Sequence, residues 1–340
     1  MLDSFNLGPN SAFSRKACRP LPGVFIALYI SVIIFICSLL SCGFVVAGEP
    51  SDLLREADRL AWLGNWHKAA AMYDQAEKHF SAAGDRLKEL YAKAGQLRSR
   101  MDNSSSVELS DQFVELLKDT LAAEEPRLKM RVLAYKGDVD FQCNLESARN
   151  CWRQVLELGK KLNERTWMAR ATGELGILAY VIDGDTSTAT NLVREALMDV
   201  GIAGDTYGTI RYLTLAGRGL TAVGRYDTAL EFFERALTAA KANPETAFPI
   251  AVYIAKARTL TAMNDINGAK LLLTESLQQA RAIEDWMSEA EISISQARIA
   301  QKEKTKSAAQ ELLEKAVEIA RRYHFQRILS SAEAELADLQ

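Results

Sequence analysis

Arg218, Arg258 and Arg298 recur at steps of 40 residues, each directly after a small residue, Gly217, Ala257 or Ala297. Arg98 falls in the same register further upstream. A guanidinium is a planar fork that binds a carboxylate through two parallel hydrogen bonds, so a column of arginines suits acidic side chains or the free C-terminus of a peptide. Thr221 and Thr261 lie about one helical turn beyond the first two arginines. The competing use of the same residues is internal: each arginine pairs with a carboxylate of the next repeat and stiffens the array.

Other chemistry finds little support. His67, His79 and His324 stand singly, without the i, i+3 or i, i+4 partner a metal site needs. Gly217, Gly219 and Gly224 lack the preceding strand and the third glycine in register of a dinucleotide loop, and they read as packing glycines. No nucleophile elbow or phosphate loop occurs. The sequence therefore predicts no enzyme, no metal, no cofactor and no small-molecule substrate. A formal charge of −3 without a Lys/Arg run argues against nucleic acid. Cys143 and Cys151, spaced along one turn and helix, are expected as two thiols rather than a disulfide.

The elements that must position the arginines are helical hairpins. In residues 216–236, small and apolar residues recur at helical spacing up to Ala222, Val223-Gly224-Arg225 interrupts them, and a second amphipathic run begins at Tyr226. That second run places Ala229, Phe233 and Ala236 on one face, small residues for close approach and a ring to fill the groove. Such a hairpin cannot bury its apolar face alone, and it repeats. Counted from Ala229, the same position holds Ala269 and Ala309 downstream and Ala189, Ala148 and Ala69 upstream. Leu109, Phe113 and Leu116 fill the register of a weaker copy between Ala69 and Ala148, giving seven hairpins, and an amphipathic run over 326–339 is expected to cap the end.

These residues resemble the tetratricopeptide repeats in a long-helix variant with a period near 40. Gly64-Asn65-Trp66, Gly184-Asp185-Thr186 and Gly224-Arg225-Tyr226 match the family's turn, and Ala57, Gly217, Ala257 and Ala297 supply the small residue of its first helix. The proline that ends the family's unit is missing from most copies, and Ser104-Ser105-Ser106 replaces the turn of repeat two. The resemblance covers residues 51–340 and implies an all-α, right-handed α-solenoid of about seven stacked helix-turn-helix repeats with a C-terminal capping helix. It also implies that Arg98, Arg218, Thr221, Arg258, Thr261 and Arg298 face a concave peptide-binding groove.

Upstream, residues 24–48 carry no charge, long enough for a membrane span of about 20 residues. Arg15, Lys16 and Arg19 precede this stretch and Glu49 and Asp52 follow it, which predicts a cytoplasmic segment over 1–23, a signal-anchor over 24–48 and an extracytoplasmic repeat domain on a single-pass membrane protein. Two alternatives share the same residues: cleavage as a long signal peptide, with a secreted product, and a lipoprotein modified at Cys42.

The function expected from these readings is a non-enzymatic scaffold that binds an extended or acidic peptide segment of a protein partner in its groove. The alternative is a structural or sensory subunit of a larger membrane-associated complex with no peptide ligand of its own.

Overall fold

The computed structural model describes residues 50–339, which form sixteen helices and no strand. The first hairpin is α1 (Pro50–Trp62) with α2 (Trp66–Ala83), and the second is α3 (Arg86–Ser99) with α4 (Ser106–Leu117). After the one-turn α5 (Thr120–Glu124) come α6 (Pro126–Cys143) with α7 (Leu145–Leu162), and α8 (Arg165–Asp183) with α9 (Thr186–Ala203). Next are α10 (Thr206–Ala222) with α11 (Tyr226–Lys241), α12 (Ile250–Ala262) with α13 (Ile266–Ala282), and α14 (Trp286–Lys302) with α15 (Lys306–Arg322). α16 (Gln326–Asp338) covers the last hairpin. The all-α solenoid of seven hairpins and a cap is therefore the architecture, weak second copy included.

Packing follows the repeat anchors. Ala69, Ala148, Ala229, Ala269 and Ala309 are fully buried, and so are the rings of Tyr73, Phe113 and Phe233. Gly217 shows why the first helix needs a small residue: a Cβ there would sit 2.4 Å from the Phe233 ring. Five of the seven hairpin turns place one residue in the left-handed region: Gly64 (φ 74°), Gly184 (φ 66°), Gly224 (φ 75°), Asn264 (φ 69°) and Lys304 (φ 59°). Links between hairpins do the same at Gly84, Asn163, Gly204, Glu284 and His324. Asp85, Asp205 and Asp285 follow three of these and cap the next helix by accepting from the backbone N–H of Lys88, Gly208 and Ser288. Cys143 and Cys151 are both free thiols.

The solenoid coils far enough for its two ends to meet. Met287 N–H donates to Asp102 O at 3.3 Å and Ser106 N–H to Tyr323 O at 3.1 Å, joining the second hairpin to the seventh. Asn65 Nδ2 donates to Glu245 O at 2.8 Å, and Arg59 pairs with the Glu245 carboxylate at 2.7 Å. The Arg327 guanidinium of α16 lies 4.3 Å from the centre of the Phe141 ring of α6. A hairpin alone would leave its inner face to solvent, whereas this closure turns the inner face into the wall of a cavity.

The membrane placement requires correction. Among the described residues no helix is long and apolar enough to cross a membrane. The uncharged stretch 24–48, the preceding 1–23 and Cys42 lie outside those residues. The single-pass anchor and the extracytoplasmic placement of the repeats are withdrawn on this finding, and with them the membrane as a partner.

Candidate functional site in the closed concavity

The inner face is built mainly from the first helices of the hairpins. Towards the N-terminal repeats it is filled by aromatic rings and arginines. Trp62 meets Trp167 edge to face at 5.2 Å, Trp66 meets Tyr135 at 5.5 Å, and the Arg170 guanidinium lies 4.0 Å from the Trp62 ring. Ion pairs fix the arginines here: a buried one of Arg170 with Asp205 at 2.9 Å, and a half-buried one of Arg131 with Asp58 at 2.7 Å. Further along, side chains no longer fill the space, and a cavity of about 510 Å³ remains.

One cluster on the cavity wall is cationic. Arg218 from α10, Arg258 from α12 and Arg327 from α16 line it, with the single carboxylate of Glu291 from α14 among them. Arg258 donates from Nε to Ser295 Oγ at 2.9 Å and from Nη2 to Glu291 Oε2 at 3.3 Å. Among the described ion pairs, Arg218 and Arg327 have none. Burial, with Arg218 and Arg298 nearby, brings the Arg258 guanidinium down to about 10 despite Glu291. Burial also lowers Arg327, helped by Arg218 and Arg211. Burial acts to raise Glu291, but Arg258, Arg218, Arg327 and Arg298 together hold it below the usual carboxylate range. The cluster thus carries more positive charge than its one internal anion offsets.

A second cluster on the same wall is acidic. Asp102 from the α3–α4 connection, Asp138 from α6 and Asp285 at the start of α14 line the cavity with Arg98. Arg98 is 2 % exposed and donates from Nε to Asp138 at 2.7 Å, while its Nη1 has no hydrogen-bond partner. Burial, reinforced by Asp102, pushes the Asp285 carboxyl up to about 7. Burial likewise raises Asp102, with Arg98 opposing and Asp138 adding to it.

The six residues singled out by the repeat register are not all brought together. Arg98, Arg218 and Arg258 line the cavity. Arg298 pairs with Glu335 of α16 at 2.6 Å, the internal use of the column. Thr221 Oγ1 lies 3.0 Å from Gly217 O and 2.6 Å from Thr259 Oγ1, and Thr261 donates to Ala257 O at 2.8 Å. Both threonines serve the stack. Glu291, missed from the sequence, has a signal there: seven residues before each arginine of the column stand Arg211, Ala251 and Glu291, two turns along the same face, and all three line the cavity. Arg327 has no such signal, because it reaches the site through closure of the ring.

The fold and its concave site define a tetratricopeptide-repeat solenoid. Residues 167–340 match the MalT-like TPR region, and the chain belongs to that family. No curated protein matches the sequence. The fold is similar to the crystal structure of a Rap protein complexed with competence and sporulation factor (TM-score 0.62, 15 % identity, 86 % of this chain and 87 % of that one). It is similar as well to NprR in complex with its cognate peptide NprX (TM-score 0.57, 16 % identity, 85 % and 82 %). A third likeness is to the apo form of RapI (TM-score 0.53, 15 % identity, 81 % and 98 %). At these identities the likeness is one of fold.

Proposed function

We propose that this chain is a non-enzymatic scaffold that binds an extended peptide segment of a partner in its closed concavity, with an acidic side chain or terminal carboxylate of the ligand held by Arg218, Arg258 and Arg327. The observation that carries this reading is the surplus of arginines around Glu291. Arg218 is exposed and Arg327 half-buried on the cavity wall, both without an ion pair among those described, so their donors are open to a ligand carboxylate and its charge-assisted hydrogen bonds. Peptide complexes among proteins of this fold are consistent with it. The residues that shape the wall are set by helix packing, so binding requires little ordering of the protein.

The volume favours a short segment, since a helix about 10 Å across would fill 510 Å³ in little more than one turn. Residues 51–340 act in this reading as one domain. The test is retention of an equimolar tetrapeptide library, read by mass spectrometry, on wild type and on Arg218→Ala with Arg258→Ala. Loss of acidic peptides at an unchanged melting temperature is expected, and retention equal to wild type contradicts the assignment.

A further inference from the structure

The arginines of the later first helices are partnered from the next repeat. Arg258 of α12 reaches forward to α14, where Glu291 and Ser295, 33 and 37 residues on, accept from it at 3.3 and 2.9 Å. Arg298 of α14 reaches forward to α16, where Glu335, again 37 residues on, accepts from Nε at 3.1 Å and from Nη2 at 2.6 Å. At Arg218 of α10 the two corresponding positions hold Ala251 and Ala255 of α12, and neither side chain can accept. Arg218 accordingly has no partner among the described hydrogen bonds and ion pairs.

The helices keep their register at this step. Thr221 Oγ1 lies 2.6 Å from Thr259 Oγ1, 38 residues on, and Leu213 of α10 shares a core with Val252 and Ala255 of α12. One turn back from the threonines, Arg218 is therefore level with Ala255, and Ala251 stands a further turn along the same face. Arg258, three residues after Ala255, flanks the same place. Arg218 is exposed, and all four residues line the cavity. A methyl group where the next repeat carries a carboxylate leaves room for an acceptor from outside the chain.

We infer that the peptide supplies the acceptor that α12 lacks: one of its carboxylates lies against Ala251 and Ala255, in the place that Glu291 takes for Arg258 and Glu335 for Arg298. The inference rests on the peptide-binding reading and adds the residue that selects the ligand. Arg218 is that specificity-determining residue, while Arg258, already held by Glu291 and Ser295, flanks it. A glutamate at position 251 would compete with the ligand from within the chain.

Ala251→Glu installs that competitor at an exposed position, and Ala251→Gln adds the same bulk without the charge. The whole protein in both forms is compared with wild type for retention of an equimolar tetrapeptide library, read by mass spectrometry. Retention of acidic peptides should be at least about tenfold weaker on Ala251→Glu than on Ala251→Gln, the loss of one charge-assisted hydrogen bond. Melting curves give a readout that needs no ligand. Ala251→Glu should shift the melting temperature upward relative to the same change made in Arg218→Ala, because the new carboxylate gains only where the arginine is present. Equal retention on the Glu and Gln variants, or equal melting shifts in the two backgrounds, overturns the inference. The peptide reading then stands on the loss of acidic peptides from Arg218→Ala with Arg258→Ala. Failure of wild type to retain any acidic peptide overturns both.

Discussion

Arg258 reaches Glu291 across one hairpin step at 3.3 Å, and Arg218 and Arg327 line the cavity wall around the same carboxylate. Glu291 therefore offsets the mutual repulsion of three guanidiniums. Replacing it with Gln should destabilise the free protein by about 0.5–1 kcal/mol, because Arg258 is part-exposed and keeps Ser295 as an acceptor. The same substitution should increase the stabilisation given by an acidic peptide, because the ligand then supplies the missing charge. Thermal melts with and without an acidic tetrapeptide check both effects.

Arg170 and Asp205 form a pair with side chains 7 % and 0 % exposed, and Asp205 also caps α10. Asp205→Ala leaves a buried guanidinium against the Trp62 ring and removes the cap. A loss of about 3–5 kcal/mol in denaturant unfolding is expected, well above the effect of breaking the exposed pair of Arg55 with Asp52.

Lys304 takes φ 59° at the turn position that Gly224 holds at φ 75° in its own repeat. A side chain in that region costs about 1–2 kcal/mol, and glycine returns part of the gain as unfolded-chain entropy of about 0.4–1 kcal/mol. Lys304→Gly should therefore stabilise the protein by about 0.5–1 kcal/mol, measured as a shift in the denaturation midpoint. The matching change at Gly224, to Ala, should destabilise.

Asp285 gives a pH dependence whose sign follows from its raised carboxyl. The folded protein holds this proton up to about 7, whereas the unfolded chain releases it near 3.8. The stabilisation tied to this group is complete below the lower value and is lost as pH rises through the upper one. Melting temperatures of wild type against Asp285→Asn should converge at low pH, with the variant gaining relative to wild type by pH 8. A constant difference across that range contradicts the seam electrostatics.

Much of the fold was legible because it repeats. Ala229 and Phe233 alone describe a hairpin, but the recurrence of their positions at Ala269 and Leu273, and at Ala309 and Leu313, specifies a stack, and all six are buried. The arginine column was legible for the same reason, though its members diverge in use: Arg258 lines the cavity, while Arg298 is taken up by Glu335 of the cap. What repetition cannot encode is the return of the array upon itself. Asp102 meets Met287 and Phe141 meets Arg327 only because the accumulated rotation of the hairpins brings them into contact. Sites made by that closure carry no local spacing in the sequence.

The central claim is that the closed concavity, and not an outer face, receives a peptide with its acidic group on the arginine cluster. A crystal structure of the protein with a retained acidic tetrapeptide tests it most directly. The account predicts a ligand carboxylate at hydrogen-bonding distance, about 2.7–2.9 Å, from Arg218 and Arg258 inside the cavity. A peptide bound on the outer helices, with the cavity unchanged, would contradict it.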